Sequence, residues 1–282
     1  HVGLELVGVR GGVVALSKCE LASEELLELA VEEVREALAG TALARAEIVP
    51  VSAHTGQGLD ALRAAVARAA VAPRDDSGPA LLPIDRVFVR KGFGAVVTGT
   101  LVSGRVREGD TLALGPLGVD ERMTSVRVRG LQVHGASVTE ARAGTRLAVN
   151  LAGTEAAEIP RGAWLAREGA VALTRSFDAQ VRWLATAKRA MGRRARLELA
   201  VGAAHTEATV ALLEGDALEP GGQALARVTT ERPVLLRPGE RFVLRGPPSL
   251  AGYGSTVGGG VAVRPRAERA RKRAVALERA EA

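Results

Sequence analysis

Aromatic side chains are nearly absent from this chain: they make up 2% of 282 residues, as four Phe, two Trp and one Tyr. Its cores must therefore be built from Val, Leu and Ala. There is one cysteine, Cys19, so no internal disulfide can form. One Cys and four scattered His offer no zinc-ligand spacing, and no metal site is expected. No apolar run approaches the roughly 18 residues that span a bilayer. His1-Val2-Gly3-Leu4 has neither a basic leader nor a cleavage-like site, so no signal peptide is expected. A cytoplasmic protein, monomeric and away from membranes, is the expectation. Lysine is also scarce (Lys18, Lys91, Lys188 and Lys272), and nearly all positive charge is arginine.

Hydrophobic residues at 47% and charged residues at 25% are ordinary for a globular protein, and the length has room for two or three domains. The net charge of +6 is compatible with an RNA partner. Arg and Ala richness of this kind also arises from codon bias, so charge alone does not establish that partner.

Residues 1–72 read as alternating strands and helices. Val13-Val14-Ala15-Leu16 and Ile48-Val49-Pro50-Val51 are short strands. Ala22 to Ala39 is a helix with Ser23 as its N-cap and acidic first turns, ended by Gly40. Gly58 to Ala72 is an amphipathic helix carrying Leu59, Leu62 and Val66. That order implies a parallel sheet with helices on its faces. Pro73 to Pro83 is a linker by composition. From Ile84 the period changes to short strands with Gly, Pro and Asp turns, the pattern of β-barrels. A second break near Arg167 to Arg175 divides this region into two barrels of about 90 residues each. Arg264 to Ala282 is basic and helical by composition. Trp164 and Trp183 are expected in cores, His54 and His134 in solvent, and Arg189 to Arg196 in a solvated loop.

The densest signal is Arg86 to Asp110, RVFVRKGFGAVVTGTLVSGRVREGD. Val87, Val89 and Ala95-Val96-Val97 are strand formers, broken by a Lys91-Gly92-Phe93-Gly94 hairpin loop. As a worded pattern it resembles the second domain of translational GTPases, where KGxGTVVTGT and GxxxxGD recur. Further on stand Arg129-Gly130-Leu131-Gln132-Val133-His134-Gly135, then Ala143-Gly144-Thr145-Arg146-Leu147-Ala148-Val149-Asn150-Leu151-Ala152-Gly153, and Thr256-Val257-Gly258-Gly259-Gly260. These phrases resemble the selenocysteine-specific elongation factors more closely than the general tRNA-delivering factor, and the resemblance covers nearly the whole chain.

The resemblance implies a multi-domain protein, α/β plus all-β. A partial P-loop-type GTPase domain (1–72) would precede two β-barrel domains (80–172 and 173–265), with a basic helical linker (266–282) leading to C-terminal winged helices that are absent. It implies a guanine site on two strand ends. Leu16-Ser17-Lys18-Cys19-Glu20 stands where the family has (N/T)KxD, whose carboxylate takes two parallel donors of the guanine edge. Ser17 and Glu20 depart from that pattern, and the extra methylene of Glu20 displaces the carboxylate. Ser52-Ala53, followed by His54-Thr55-Gly56, stands where the family's SA motif meets guanine O6. Ser17, Lys18, Glu20, Ser52 and Ala53 are thus the candidate base contacts. No GxxxxGK[ST] loop appears, and no switch elements stand ahead of the first strand. The phosphate-cradling amides and Mg²⁺ ligands belong to those parts. GTP or GDP with Mg²⁺ is therefore expected of the intact protein, the chain is expected not to hydrolyse GTP as it stands, and no catalytic residue is assigned.

A selenol is far more acidic than a thiol, so selenocysteine is an anion at neutral pH. A pocket that selects it should offer fixed positive charge, which Arg supplies in any surroundings. The resemblance places an Asp-Arg pair and the Arg of the AGxR phrase beside the aminoacyl end, here Asp85, Arg86 and Arg146. The implied partners are selenocysteyl-tRNA, the ribosome, and an mRNA hairpin through the absent C-terminal domains. Two other readings stay open: another translational GTPase (a general elongation or initiation factor), and a non-catalytic RNA- or protein-binding module.

Overall fold

A computed structural model describes residues 6–9, 11–69, 76–90, 94–117, 122–246 and 256–266. The chain forms two compact units, residues 1–72 and 73–282.

In the first unit, β1 (Val13–Ser17) and β2 (Glu47–Val51) pair in parallel, from Val13 opposite Glu47 to Ser17 opposite Val51. A single 3₁₀ turn, Cys19–Leu21, leads from β1 to α1 (Glu24–Leu38). Ser23 caps α1 by accepting from the Leu26 amide at 3.4 Å, and Glu24 and Glu25 sit against the positive end of the helix dipole. Helix α2 (Leu59–Ala69) lays Leu59, Leu62 and Ala65 against Val13, Val49 and Val51. Of the partial P-loop-type GTPase domain expected here, a larger parallel sheet is not evident among the described residues, which hold in this unit one two-stranded parallel sheet and two helices. Two strand segments supply two strands, and a doubly covered sheet needs more chain than this unit has. The last turn expected of the second helix, residues 70–72, lies outside the described residues, as do the Lys91–Phe93 loop and most of the basic C-terminal stretch.

The second unit is two β-barrels. The first is built from β3 (Leu81–Arg90), β4 (Gly94–Thr100), β5 (Arg105–Arg107), β6 (Thr111–Leu117), β7 (Arg122–Val133), β8 (Ala136–Val138), β9 (Glu140–Arg142), β10 (Arg146–Leu151) and β11 (Trp164–Ala166). Its strand order is β10-β4-β3-β11-β6-β7, and β7 pairs back onto β10 to close the circuit. Strand β3 starts at Leu81, inside the stretch read as linker, because Leu81 and Leu82 are wholly buried. Alternating inward residues such as Ala95, Val97, Leu147, Val149 and Leu151 fill the interior.

The second barrel is closed in the order β12 (Ala172–Trp183), β17 (Gln223–Leu236), β15 (Ala204–Leu212), β14 (Arg194–Val201), β18 (Arg241–Arg245), β19 (Thr256–Arg264), with a side ribbon of β13 (Met191–Gly192) and β16 (Ala217–Leu218). Phe177 and Phe242 meet edge-to-face at 5.6 Å in its core. Trp164 and Trp183 are both buried, and His54 and His134 are exposed. The stretch Arg189 to Arg196 differs from the expected solvated loop. Met191 is buried in the barrel core, and the β13 ribbon and the start of β14 run through it. Its arginines mask a strand that the apolar pattern alone does not reveal. Asp178 is wholly buried and held by Arg227 through two hydrogen bonds of 2.8 and 3.0 Å, which satisfies a carboxylate that would otherwise be costly there. Leu81, Trp164 and Ala166 of the first barrel pack with Leu235 of the second, so the barrels share a seam.

Candidate functional site

In the first unit the two strand-end motifs fall side by side. Ser17 closes β1 opposite Val51. Lys18 takes a left-handed conformation, φ 63°, and turns the chain into Cys19–Leu21, with the Leu21 amide donating back to the Lys18 carbonyl at 3.1 Å. The Cys19 side chain is buried while Ser17, Lys18 and Glu20 stay exposed. Ser52 is wholly buried and spent on its own loop. Its hydroxyl accepts from the Thr55 amide at 3.1 Å, its amide donates to the Gln57 carbonyl at 2.9 Å, and its carbonyl accepts from the Gly56 amide at 3.0 Å. That ring leaves Ala53 exposed. Gly58, at φ 73°, passes so close to β2 that a Cβ would stand 2.1 Å from the Pro50 carbonyl oxygen. Crevices of this kind, at the carboxyl ends of adjacent parallel strands, are where open α/β sheets take ligands. The ends present the exposed Ser17, Lys18 and Glu20 on one strand and the exposed Ala53 after the other. Among the described residues no group of three His, Cys, Asp or Glu converges to hold a metal ion.

The second cluster stands on the outer face of the first barrel. Asp85 sits in a β-bulge, where the β3–β4 register shifts between Ile84 and Arg86. The bulge turns its carboxylate to the outer face. There Arg146 grips it with both terminal nitrogens: Nη1 donates to Oδ2 at 2.5 Å and Nη2 to Oδ1 at 3.1 Å. The Thr98 hydroxyl donates to Oδ1 at 2.9 Å. The Arg146 hydrogen bond, then the Thr98 bond and the nearby charges of Arg146 and Arg86, hold the Asp85 carboxyl below its ordinary range despite partial burial. The same pair raises Arg146. Arg86 is exposed, and its charge reaches Asp85 without a hydrogen bond. The structure thus brings Asp85 and Arg146 together and leaves Arg86 exposed beside them, with two arginines to one carboxylate among the described residues of the cluster.

Strand register extends this cluster into a groove. One outward row across β3, β4, β10 and β7 runs Arg86, Thr98, Ala148, Gln132, and the next runs Phe88, Val96, Asn150, Gly130. Phe88, Val96, Arg129, Gln132, Ala148 and Asn150 line a groove of about 500 Å³. Phe88 is 47% exposed, unusual for the side chain of an aromatic-poor protein. The Asn150 Oδ1 is buried and has no hydrogen-bond partner among the described residues. Sequence reading missed Thr98, Phe88 and Asn150 as site residues. Thr98 and Asn150 do stand in the quoted phrases, at outward-facing alternate positions, and that alternation was the available signal.

The family pattern described as "Elongation factor Tu domain 2" matches residues 94–166, and "Selenocysteine-specific elongation factor, beta-barrel domain" matches residues 178–269. The chain is 39% identical to the selenocysteine-specific elongation factor of Desulfomicrobium baculatum over 97% of its own length and 42% of that protein. It is 33% identical to elongation factor Tu 2 of Streptomyces avermitilis over 85% of its own length and 64% of that protein. The chain thus spans less than half the length of the first of these relatives. Among solved structures, a bacterial selenocysteine-specific elongation factor EF-Sec superposes with a TM-score of 0.81 at 25% identity, over 98% of this chain and 44% of that one. Apo translation elongation factor SelB from Methanococcus maripaludis, at 23% identity and a TM-score of 0.77 over 94% of this chain and 61% of that one, shares the fold. Two barrel patterns in order and the D. baculatum likeness over nearly the full chain agree: over almost its whole length the chain is similar to the selenocysteine-specific elongation factors.

Proposed function

We propose that the protein works in GTP-dependent delivery of selenocysteyl-tRNA to the ribosome at a recoded stop codon. One observation carries the reading: the Asp85–Arg146–Thr98 cluster, with Arg86 beside it, stands on the strand row next to a mixed polar and apolar groove walled by Phe88. An anionic aminoacyl side chain and the nucleoside that bears it need these two neighbouring surfaces. Arg86 and Arg146 are the anion contacts for the selenolate. Asp85 holds Arg146 in place and keeps one of the two charges balanced until a ligand arrives. Neutral serine gains nothing from the excess cation, and a cysteine thiol, largely protonated at neutral pH, gains little.

The family relationship also motivates the rest of the assignment. Residues 1–72 are the C-terminal half of a GTPase domain, 80–172 and 173–265 its two barrels, and 266–282 a linker onward. Ser17, Lys18, Glu20, Ser52 and Ala53 fit a guanine edge, the buried Ser52 ring orienting the loop around Ala53. They do not fit phosphates or Mg²⁺, so no hydrolytic step runs through this chain's residues. No helix among the described residues is long and apolar enough to cross a membrane, and the cytoplasm is the place for such a factor.

Binding of the chain to selenocysteyl-tRNA and to seryl-tRNA with the same tRNA body, at one salt concentration, tests the reading. A preference for the selenocysteyl form that Arg86→Ala and Arg146→Ala abolish is the expected result. Equal binding by both, unchanged in the variants, fits instead a general tRNA-delivering factor, the reading that the elongation factor Tu likeness favours.

A further inference from the structure

We propose that residues 76–80 are a salt-labile strap: Asp76 latches the end of the segment that joins the two units onto the β5–β9 ribbon of the first barrel, and lets it go when mobile ions screen the contact. The inference stands apart from the tRNA reading and does not depend on it.

The ribbon itself creates the need for a latch. Strands β5 and β9 pair only with each other, as a two-stranded sheet, and such a ribbon is marginal alone. Val106 and Ala141, opposite each other, are buried, which turns the alternate residues Arg105, Arg107, Glu140 and Arg142 outward. Arg107 stands opposite Glu140, an attractive pair, but Arg105 stands opposite Arg142. Like charges directly opposite across two strands are destabilising. Asp76 supplies the missing counter-charge from outside the ribbon. Its Oδ1 accepts from Arg105 Nη2 at 3.0 Å, and its Oδ2 lies 3.0 Å from Arg105 Nε and 3.6 Å from Arg142 Nη1. Glu140 is engaged mainly elsewhere, accepting from Arg107 Nε at 2.7 Å and Arg142 Nε at 3.1 Å and reaching Arg105 only at 3.8 Å. Accordingly the Asp76 hydrogen bond, then the Asp76 charge, does most to raise the Arg105 pKa, ahead of Glu140.

The strap behind Asp76 lies flush on the barrel. Gly104, at φ 69°, sits so close beneath it that a Cβ would stand 2.5 Å from the Gly78 carbonyl oxygen and 2.6 Å from the Ala80 nitrogen, and a Cβ on Gly78 would stand 2.7 Å from the Ser103 Oγ. Close fit of this kind holds only while the strap is pressed down, and few apolar contacts press it: Ala80 is its one buried hydrophobic residue. The network is also open to solvent ions. A cavity of about 360 Å³ is bordered by the strap with Arg105, Arg107 and Arg167, and the Arg105 side chain is 38% exposed. Exposed ion pairs weaken as salt rises, and here that loss falls on the group that holds the strap.

Two amides read the hold directly: Arg167 donates to the Ala80 carbonyl at 2.9 Å, and Leu81 donates to the Ser103 carbonyl at 3.1 Å. Their hydrogen exchange is measured in wild type, in Asp76→Asn, and in Asp60→Asn, which removes the same charge from α2, at about 0.05 M and about 0.5 M NaCl. The expected result is that Asp76→Asn speeds exchange at both amides by about twofold to fivefold at low salt. High salt does the same in wild type and in Asp60→Asn, and adds little in Asp76→Asn. Exchange in Asp76→Asn that matches wild type at low salt overturns the latch. So does salt that speeds Asp76→Asn as much as wild type, or an Asp60→Asn that exchanges as fast as Asp76→Asn, since either would trace the effect to charge in general and not to this contact.

Discussion

At the residue scale, the decisive balance is around Asp85. Its carboxylate is more than one-third exposed and Arg146 about half exposed, so solvent screens their attraction heavily. The pair is therefore worth under about 1 kcal/mol to folding, and its value lies in fixing where Arg146 points. The pH dependence follows from the lowered pKa. A carboxyl whose folded pKa lies below its unfolded value stabilises the fold above the unfolded pKa, and that contribution fades as pH falls below the ordinary 3.8. In thermal unfolding, Asp85→Asn should cost a fraction of a kcal/mol at pH 7, and the gap from wild type should narrow below pH 4. A gap that stays constant from pH 7 to pH 3 would mean that the carboxylate charge contributes nothing. The sequence made Asp85, Arg86 and Arg146 visible only through a family phrase. Their actual partnership, Asp85 with Arg146 across 61 residues of chain and Arg86 left free of it, depends on a β-bulge that no local pattern announces.

At the element scale, what was legible was period. Alternation over β4 and β10 fixed which side chains enter the core, and Ser23 with its acidic neighbours fixed the start of α1 within two residues. What was hidden was contact between distant strands: the early start of β3 is decided by burial of Leu81 and Leu82 under β11, and the β13 ribbon by a single buried Met191. The turn after β2 gives a test at this scale. Gly56 and Gly58 both have left-handed φ, 82° and 73°, but a Cβ on Gly56 meets open space while one on Gly58 meets the Pro50 carbonyl oxygen at 2.1 Å. Gly56→Ala should carry only the conformational penalty of roughly 1–2 kcal/mol. Gly58→Ala should cost more, because the backbone of β2 itself has to move. Hydrogen exchange at the Val49 and Val51 amides reads this directly. Faster exchange in Gly58→Ala than in Gly56→Ala is expected, and equal exchange would show that the close approach is not needed to hold the strand end.

At the scale of the whole molecule, the question is whether the two barrels are separate bodies on a string. Each closes its own circuit of strands and has its own core, so each has the means to fold alone. Against that stands the seam: Trp164, Leu81 and Ala166 bury against Leu235, and Gly162, at φ 93°, lets the chain pass Ala204 so closely that a Cβ would lie 2.7 Å from its Cα. A large apolar side chain buried across such a boundary contributes on the order of 2 kcal/mol, enough to couple two barrels of ordinary marginal stability. Residues 73–282 should therefore unfold in one calorimetric transition, and Gly162→Val, which forces the seam apart, should resolve it into two. The control is Gly239→Ala. Its left-handed φ of 81° carries similar strain, but nothing stands within 4 Å of the added Cβ. That variant should lower the melting temperature by a few degrees, the shift that about 1 kcal/mol produces in a domain of this size, and keep the transition single. If Gly162→Val also keeps one transition, the coupling does not run through the glycine contact. A wild type that already melts in two steps would show that the barrels are independent and that the seam only sets their angle. For a factor proposed to hold an aminoacyl end on the first barrel, coupling means that any binding energy gained on the second counts toward one pose of the ligand, which is how remote contacts come to improve selection at the amino acid.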